Sequence, residues 1–158
     1  MTSTTHKTLH ILNGPNLNRL GTREPAIYGT TTLADIEAQC REAASPHAIV
    51  FRQTNSEAQL IDWIHEAIDD EASGIVINPA AYSFTSLAIL DALKMFPGPI
   101  IELHISNIHA RDELHRHSKV SSSAKAVICG AGPYGYILAM QAAAHMLDAL
   151  PSGMRAVF

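Results

Sequence analysis

Five short apolar runs, each nearly continuous in Val, Ile and Leu, alternate along the chain with helical patterns. This alternation narrows the possible folds more than any other feature. The runs fall at residues 9–12, 48–51, 74–77, 99–103 and 126–129. A strand with one face in water alternates apolar with polar side chains, whereas a strand covered on both faces does not. Helical patterns occupy residues 33–44, 57–71, 85–96, a short piece near 111–116, and 134–150. The second places Leu60, Ile61, Ile64, Ala67 and Ile68 on one face, an ordinary core stripe. Thr32 with Asp35, and Ser56, read as helix starts; Pro46 and Pro97 close two helices.

Strands that alternate with helices in this way predict an α/β fold, one parallel sheet with helices on both faces. The 158 residues suit a single domain, with residues 1–7 read as a flexible tail. The expected strand order is 2-1-3-4-5. Ligands of such sheets sit beyond the carboxyl ends of the strands, where the strand order reverses. The loops after strands 1, 3 and 4 should therefore converge on one cleft.

A formal charge of -4 leaves no basic excess to neutralise phosphates, which argues against general nucleic-acid binding. Cys40 and Cys129 lie in a helical pattern and an apolar strand and read as buried thiols rather than a disulfide framework. The first residues lack an apolar signal region, and no stretch approaches the roughly 18–20 apolar residues that span a bilayer. The expected compartment is the cytosol.

Chemistry-bearing residues collect in the three loops. The loop after strand 1, NGPNLNRLGTREPAIYG, holds Arg19, Arg23 and Tyr28; its length fits a lid or binding loop, and its composition fits a surface insertion equally. In NPAAYSFTS, Asn78 either presents an amide to a ligand or simply starts a turn. The segment ELHISNIHARDELHRHS is the richest. Glu102 and His104 are two apart on a strand, so their side chains share a face. A carboxylate beside an imidazole fixes its tautomer and raises its pKa, as a general acid at neutral pH needs; a structural His paired with a Glu is the commoner outcome of such spacing. Ser106, Asn107 and Arg111 follow at the expected start of the next helix, where backbone N–H groups also hold carboxylates.

Two patterns point elsewhere and are set aside. GAGPYG, residues 130–135, fits a dinucleotide fingerprint, but no further strand follows it to carry the acidic ribose partner; its glycines suit close helix-to-strand packing. None of the nine histidines sits in an HExxH or paired-Cys arrangement, so neither a metal nor another cofactor is expected.

The strings NGPNLNRLGTREPAIYG, QTNSEAQLIDWIHEA, INPAAYSFTS, PIIELHISNIHARDE and AVICGAGPYGYILA together resemble the type II 3-dehydroquinate dehydratase family, co-linear over residues 9–144. The resemblance implies a flavodoxin-like, cofactor-free hydro-lyase, assembled as a homododecamer, a tetramer of trimers. The implied reaction dehydrates 3-dehydroquinate to 3-dehydroshikimate through an enolate, serving aromatic amino-acid biosynthesis or quinate catabolism. It casts Tyr28 as the base, acting as tyrosinate with Arg23 and Arg111 close by. Ionising a phenol of reference pKa about 10 near neutral pH needs roughly 4 kcal/mol of such help. His104 becomes the acid on the leaving hydroxyl, oriented by Glu102, and Asn16 holds a water against the enolate oxygen. Asn78, the Ile105 backbone and Ser106 take the substrate carboxylate, and Asp91 reaches a neighbouring subunit's site.

The pattern breaks at two positions. Phe84 stands where the family usually has His, and His115 where it usually has Arg, the two side chains that bind the ring hydroxyls distant from the carboxylate. Three readings follow: a dehydratase with weakened substrate contacts, a related lyase acting on a cyclic hydroxyketone without those hydroxyls, or a non-catalytic paralogue kept for binding. Arg116, adjacent to His115, would point about 100 degrees away on a helix and so is no automatic substitute.

Overall fold

The computed structural model describes residues 5–150 apart from Arg23, and only the backbone of Ile27 and Tyr28. Strands β1 (Thr8–Asn13), β2 (Ala48–Gln53), β3 (Gly74–Asn78), β4 (Ile100–His104) and β5 (Ala126–Cys129) form one sheet in the order β2-β1-β3-β4-β5. Every pairing is parallel, with Asn13 in register with both Gln53 and Asn78. This is the strand order expected from the sequence. The helices are α1 (Pro25–Tyr28), α2 (Leu33–Ala44), α3 (Glu57–Asp69), α4 (Leu87–Lys94) and α5 (Gly135–Met146).

Each face of the sheet has its own core. Leu9, Ile11, Val76, Ile101 and Leu103 pack with α2 and α5; Leu12, Ile75, Ile77 and Ile100 pack with α3 and α4. Apolar side chains thus leave the strands in both directions, so the runs are continuous rather than alternating. Burying each large aliphatic side chain stabilises the fold by about 1.5–3 kcal/mol before chain entropy is counted.

The expected helix starts hold. Thr32 and Asp35 form a reciprocal capping box on α2, and the Ser56 hydroxyl accepts from the Gln59 N–H on α3. Helix ends differ from expectation. The patterns through residues 71 and 150 overrun, because Glu71 and Asp148 take left-handed backbone conformations (φ 52° each). The next N–H then closes back five residues, Ala72 to the Ala67 carbonyl and Ala149 to that of Ala144 (2.9 and 2.8 Å).

The expected helix over 111–116 is corrected. Two short 3-10 turns, Ile108–Ala110 and Glu113–His115, flank an extended Arg111. Asn107 Oδ1 accepts from the His109 N–H and Asp112 Oδ1 from the Leu114 N–H (3.1 and 3.0 Å). Such local side-chain acceptors offer the backbone an alternative to helix. Cys40 is fully buried, which pushes its thiol up to about 12, whereas Cys129 on edge strand β5 is only half-buried; both are free.

Candidate active site

β1 has β2 on one side and β3 on the other, so the connections leaving β1 and β3 diverge and open a cleft between them. The cleft encloses about 510 Å3 out to its open mouth and is walled by the segments that follow β1, β3 and β4. Two contacts fix the first two walls together. The Gly14 N–H donates to the Asn78 carbonyl at 2.8 Å, and a Cβ on Gly14 would lie 2.4 Å from the Pro79 carbonyl oxygen. Only glycine allows that approach. Two lining residues, Asn16 (φ 69°) and Ala80 (φ 51°), hold left-handed backbone conformations. For alanine this costs roughly 1–2 kcal/mol, and the Ala80 N–H is held there by Asn78 Oδ1 at 3.2 Å.

His104 lines the cleft at the end of β4, with Glu102 two residues earlier on the same side. His104 Nε2 sits 3.5 Å from Glu102 Oε1, a charge contact slightly longer than a good hydrogen bond. Glu102 is wholly inaccessible, and the hydroxyls of Ser118 and Ser121 donate one to each of its oxygens. Burial pushes the Glu102 carboxyl up, but the contact with His104 and the hydrogen bonds from Ser118 and Ser121 outweigh it and hold the group below its ordinary value. A buried carboxylate thus faces Nε2, leaving Nδ1 as the ring's nitrogen for a ligand. That arrangement suits an imidazole that delivers a proton.

Asn78 also lines the cleft and is 3% exposed. Its Nδ2 donates to the Tyr136 hydroxyl at 3.2 Å, and that hydroxyl donates to Asn13 Oδ1 at 2.6 Å. The Asn13 amide in turn donates to the Arg52 carbonyl at 3.1 Å. With its oxygen on the Ala80 N–H, the Asn78 amide is fixed at both ends and keeps one N–H for a ligand. Complete burial pushes the Tyr136 phenol well above its ordinary value, so it remains a neutral hydroxyl.

The opposite wall is aromatic. Phe84 lies 6.2 Å from the His104 ring (24° between planes) and meets His115 edge-on at 5.4 Å (80°). His115 Nδ1 contacts both carboxylate oxygens of Asp112 at 2.8 Å, holding the Asp112 carboxyl below its ordinary value. Arg111 lines the cleft. Arg116 bonds the Arg111 carbonyl and sits 3.7 Å from Glu113, so it is no part of the cleft wall.

Of the residues singled out in the sequence, Asn16, Asn78, His104, Ile105, Ser106 and Arg111 line one cleft, with Glu102 directly behind His104. Asp91 lies on the exposed face of α4, outside the cleft. Tyr28 ends α1, and its side chain, like the whole of Arg23, lies outside the described residues. Sequence reasoning missed Ser118, Ser121, Asn13 and Tyr136. The only available signal was a polar Asn closing an otherwise apolar strand run, since pairings across 16 to 123 residues leave no local periodicity. Among the described residues, no three His, Cys, Asp or Glu side chains converge as a metal set.

Comparison with known proteins agrees with this geometry. A family model described as dehydroquinase class II matches residues 7–144. The chain is 52% identical over 145 residues to a 3-dehydroquinate dehydratase of Acidovorax sp. (strain JS42), covering 88% of this chain and 98% of the relative. It is 56% identical over 141 residues to one of Streptomyces avermitilis, covering 87% and 88%. The type II dehydroquinase crystal structure from Propionibacterium acnes superposes with a TM-score of 0.83 at 48% identity, covering 90% of this chain and 99% of that one. A match spanning almost the entire sheet and all three cleft walls leaves one assignment: the chain belongs to the class II dehydroquinase family.

Proposed function

We propose that this chain is a hydro-lyase that dehydrates 3-dehydroquinate to 3-dehydroshikimate, a step of the shikimate pathway. The observation that carries the reading is His104, set in the cleft with the buried Glu102 carboxylate behind it. Tyr28, as tyrosinate, removes the proton alpha to the ketone, and Arg23 and Arg111 favour its charged form. Asn16 holds a water against the oxygen of the resulting enolate. His104 then protonates the beta hydroxyl as it leaves, and Glu102 steadies the imidazolium before transfer. Asn78, the Ile105 N–H and Ser106 take the substrate carboxylate, for which the spare Asn78 N–H and the polar lining offer donors.

Asp91, outside its own cleft, acts on the site of a neighbouring subunit in a trimer, and four trimers form a dodecamer. The enzyme works in the cytoplasm; no described helix is long and apolar enough to cross a membrane.

The test is to mix purified protein with 3-dehydroquinate and follow the ultraviolet absorbance of the conjugated enone, beside a His104→Ala control. The expected result is turnover that the control loses by about 10²- to 10⁴-fold. No turnover from folded protein would sink the assignment and direct the search to cyclic hydroxyketones lacking the distal hydroxyls, the ligands an apolar Phe84 wall favours.

A further inference from the structure

Glu102 reaches the cleft only through His104, yet its two oxygens are both engaged from behind. Ser118 Oγ donates to Oε1 and Ser121 Oγ to Oε2. We propose that Ser118 and Ser121 are positioning residues for proton transfer at His104, clamping the Glu102 carboxylate against the imidazole from the far side. The inference rests on reading His104 as the acid of the dehydration.

Three observations support the clamp. The first concerns charge. A fully buried carboxylate with a single partner at 3.5 Å would be poorly compensated, and burial drives such a group towards its neutral form. Here the His104 contact and the two hydroxyls together reverse that tendency. Because the hydroxyls are neutral donors, they stabilise the anion without cancelling its charge, so its field still acts on His104. A Lys or Arg in their place would hold the carboxylate equally well and silence it.

The second concerns geometry. Ser118 lies two residues before, and Ser121 within, a 3-10 turn (Val120–Ser123), and the chain between them brings one hydroxyl to each oxygen of the same carboxylate. The carboxylate therefore takes one donor on each oxygen and its rotation is fixed. The third concerns coupling to the cleft. Between the serines, the Lys119 N–H donates to the Ser83 carbonyl at 2.7 Å, and Val120 is buried in the core shared with α4. Ser83 precedes Phe84, so the clamp is anchored to the wall that faces the ligand.

The experiment combines two readouts on the Ser118→Ala/Ser121→Ala protein: the Glu102 carboxyl titration by 13C NMR, and kcat and KM for 3-dehydroquinate against pH. The clamp predicts a Glu102 midpoint at least one pH unit higher. It also predicts a kcat about ten-fold lower at pH 7, falling more steeply than in the unsubstituted protein as pH drops to 5.5, with KM within two-fold. Ser118→Thr, which keeps a hydroxyl, should recover most of the turnover lost in Ser118→Ala. In a Glu102→Gln background the serine substitutions should cause no further loss. Both single Ala variants are measured as well, so that poor folding of the double variant does not decide the matter. An unmoved Glu102 midpoint, or a lowered Tm with kcat and its pH profile intact, would overturn the proposal. If the midpoint moves but the unsubstituted protein turns nothing over, the dehydratase reading falls and the clamp on Glu102 stands.

Discussion

Phe84 lies nearly parallel to the His104 imidazole, 24° between planes and 6.2 Å between centroids, and so sets an apolar ring beside the residue proposed to deliver the proton. It also meets His115 edge-on, and His115 is itself braced by Asp112. The two departures from the family pattern are therefore a single unit in space. Phe84 offers no hydrogen bond at this end of the cleft, while Glu102 keeps its bonds from Ser118 and Ser121 and Asn78 its bonds to Tyr136 and Ala80.

Restoring a donor at this position should improve the enzyme. One recovered hydrogen bond is worth about 0.5–1.5 kcal/mol, so Phe84→His should raise kcat/KM for 3-dehydroquinate by roughly 2- to 10-fold. Initial rates from enone absorbance measure it. An unchanged or lower value would mean that Phe84 belongs to a pocket already fitted to its ligand.

Tyr136→Phe removes the hydroxyl that joins Asn13 to Asn78 and leaves two buried amide atoms without that partner. The expected cost is about 1–3 kcal/mol, read as a lower urea midpoint. Because Asn78 then loses one of its two restraints, KM should rise by more than kcat falls. A stability loss with unchanged KM would show that the Ala80 N–H alone keeps the amide in place.

The sheet was legible because its signal is local: each strand run is apolar on both faces, and the helix starts carry Thr32, Asp35 and Ser56 within one turn. Two helix ends overran because Glu71 and Asp148, rather than glycine, adopt the left-handed conformation. Residues 111–116 misled because Arg-Asp-Glu-Leu-His-Arg has good helix formers, while the Asx acceptors Asn107 and Asp112 decide the backbone. In the site, the shared face of Glu102 and His104 was readable from strand periodicity, whereas their place in a site came from the family resemblance. Ser118, Ser121 and Tyr136 were not, because their partners are brought to them only by the packed fold.

Gly14→Ala tests how tightly two cleft walls are joined. The added Cβ would fall 2.4 Å from the Pro79 carbonyl oxygen and 2.7 Å from its carbon, both backbone atoms that cannot swing away. Relief requires parting the segments after β1 and β3 and weakening the Gly14 to Asn78 bond. Overpacking of this kind costs about 1–3 kcal/mol, with a matching fall in Tm and a rise in KM. An unaltered KM would show that the cleft does not depend on this junction.

His10 should make the fold acid-sensitive independently of the active site. It lies on β1 between Val50 and Ile75, 1% exposed, with no hydrogen-bond partner for Nδ1 among the described residues. Burial pushes its pKa below the ordinary 6.5, Arg52 adds to the shift, and Asp70 and Glu66 oppose it. The folded state thus keeps His10 neutral at a pH where the unfolded chain has taken up a proton. Between the folded midpoint and 6.5 the unfolded state binds more protons, so stability falls as pH falls through that window. Each pH unit separating the midpoints contributes about 1.4 kcal/mol. Urea unfolding at pH 7.5 and pH 5, at fixed protein concentration, should show a larger loss for the unsubstituted protein than for His10→Leu; Glu102, held below its ordinary value, adds acid sensitivity only at lower pH than this window. Equal losses in the two proteins would place the acid sensitivity outside β1.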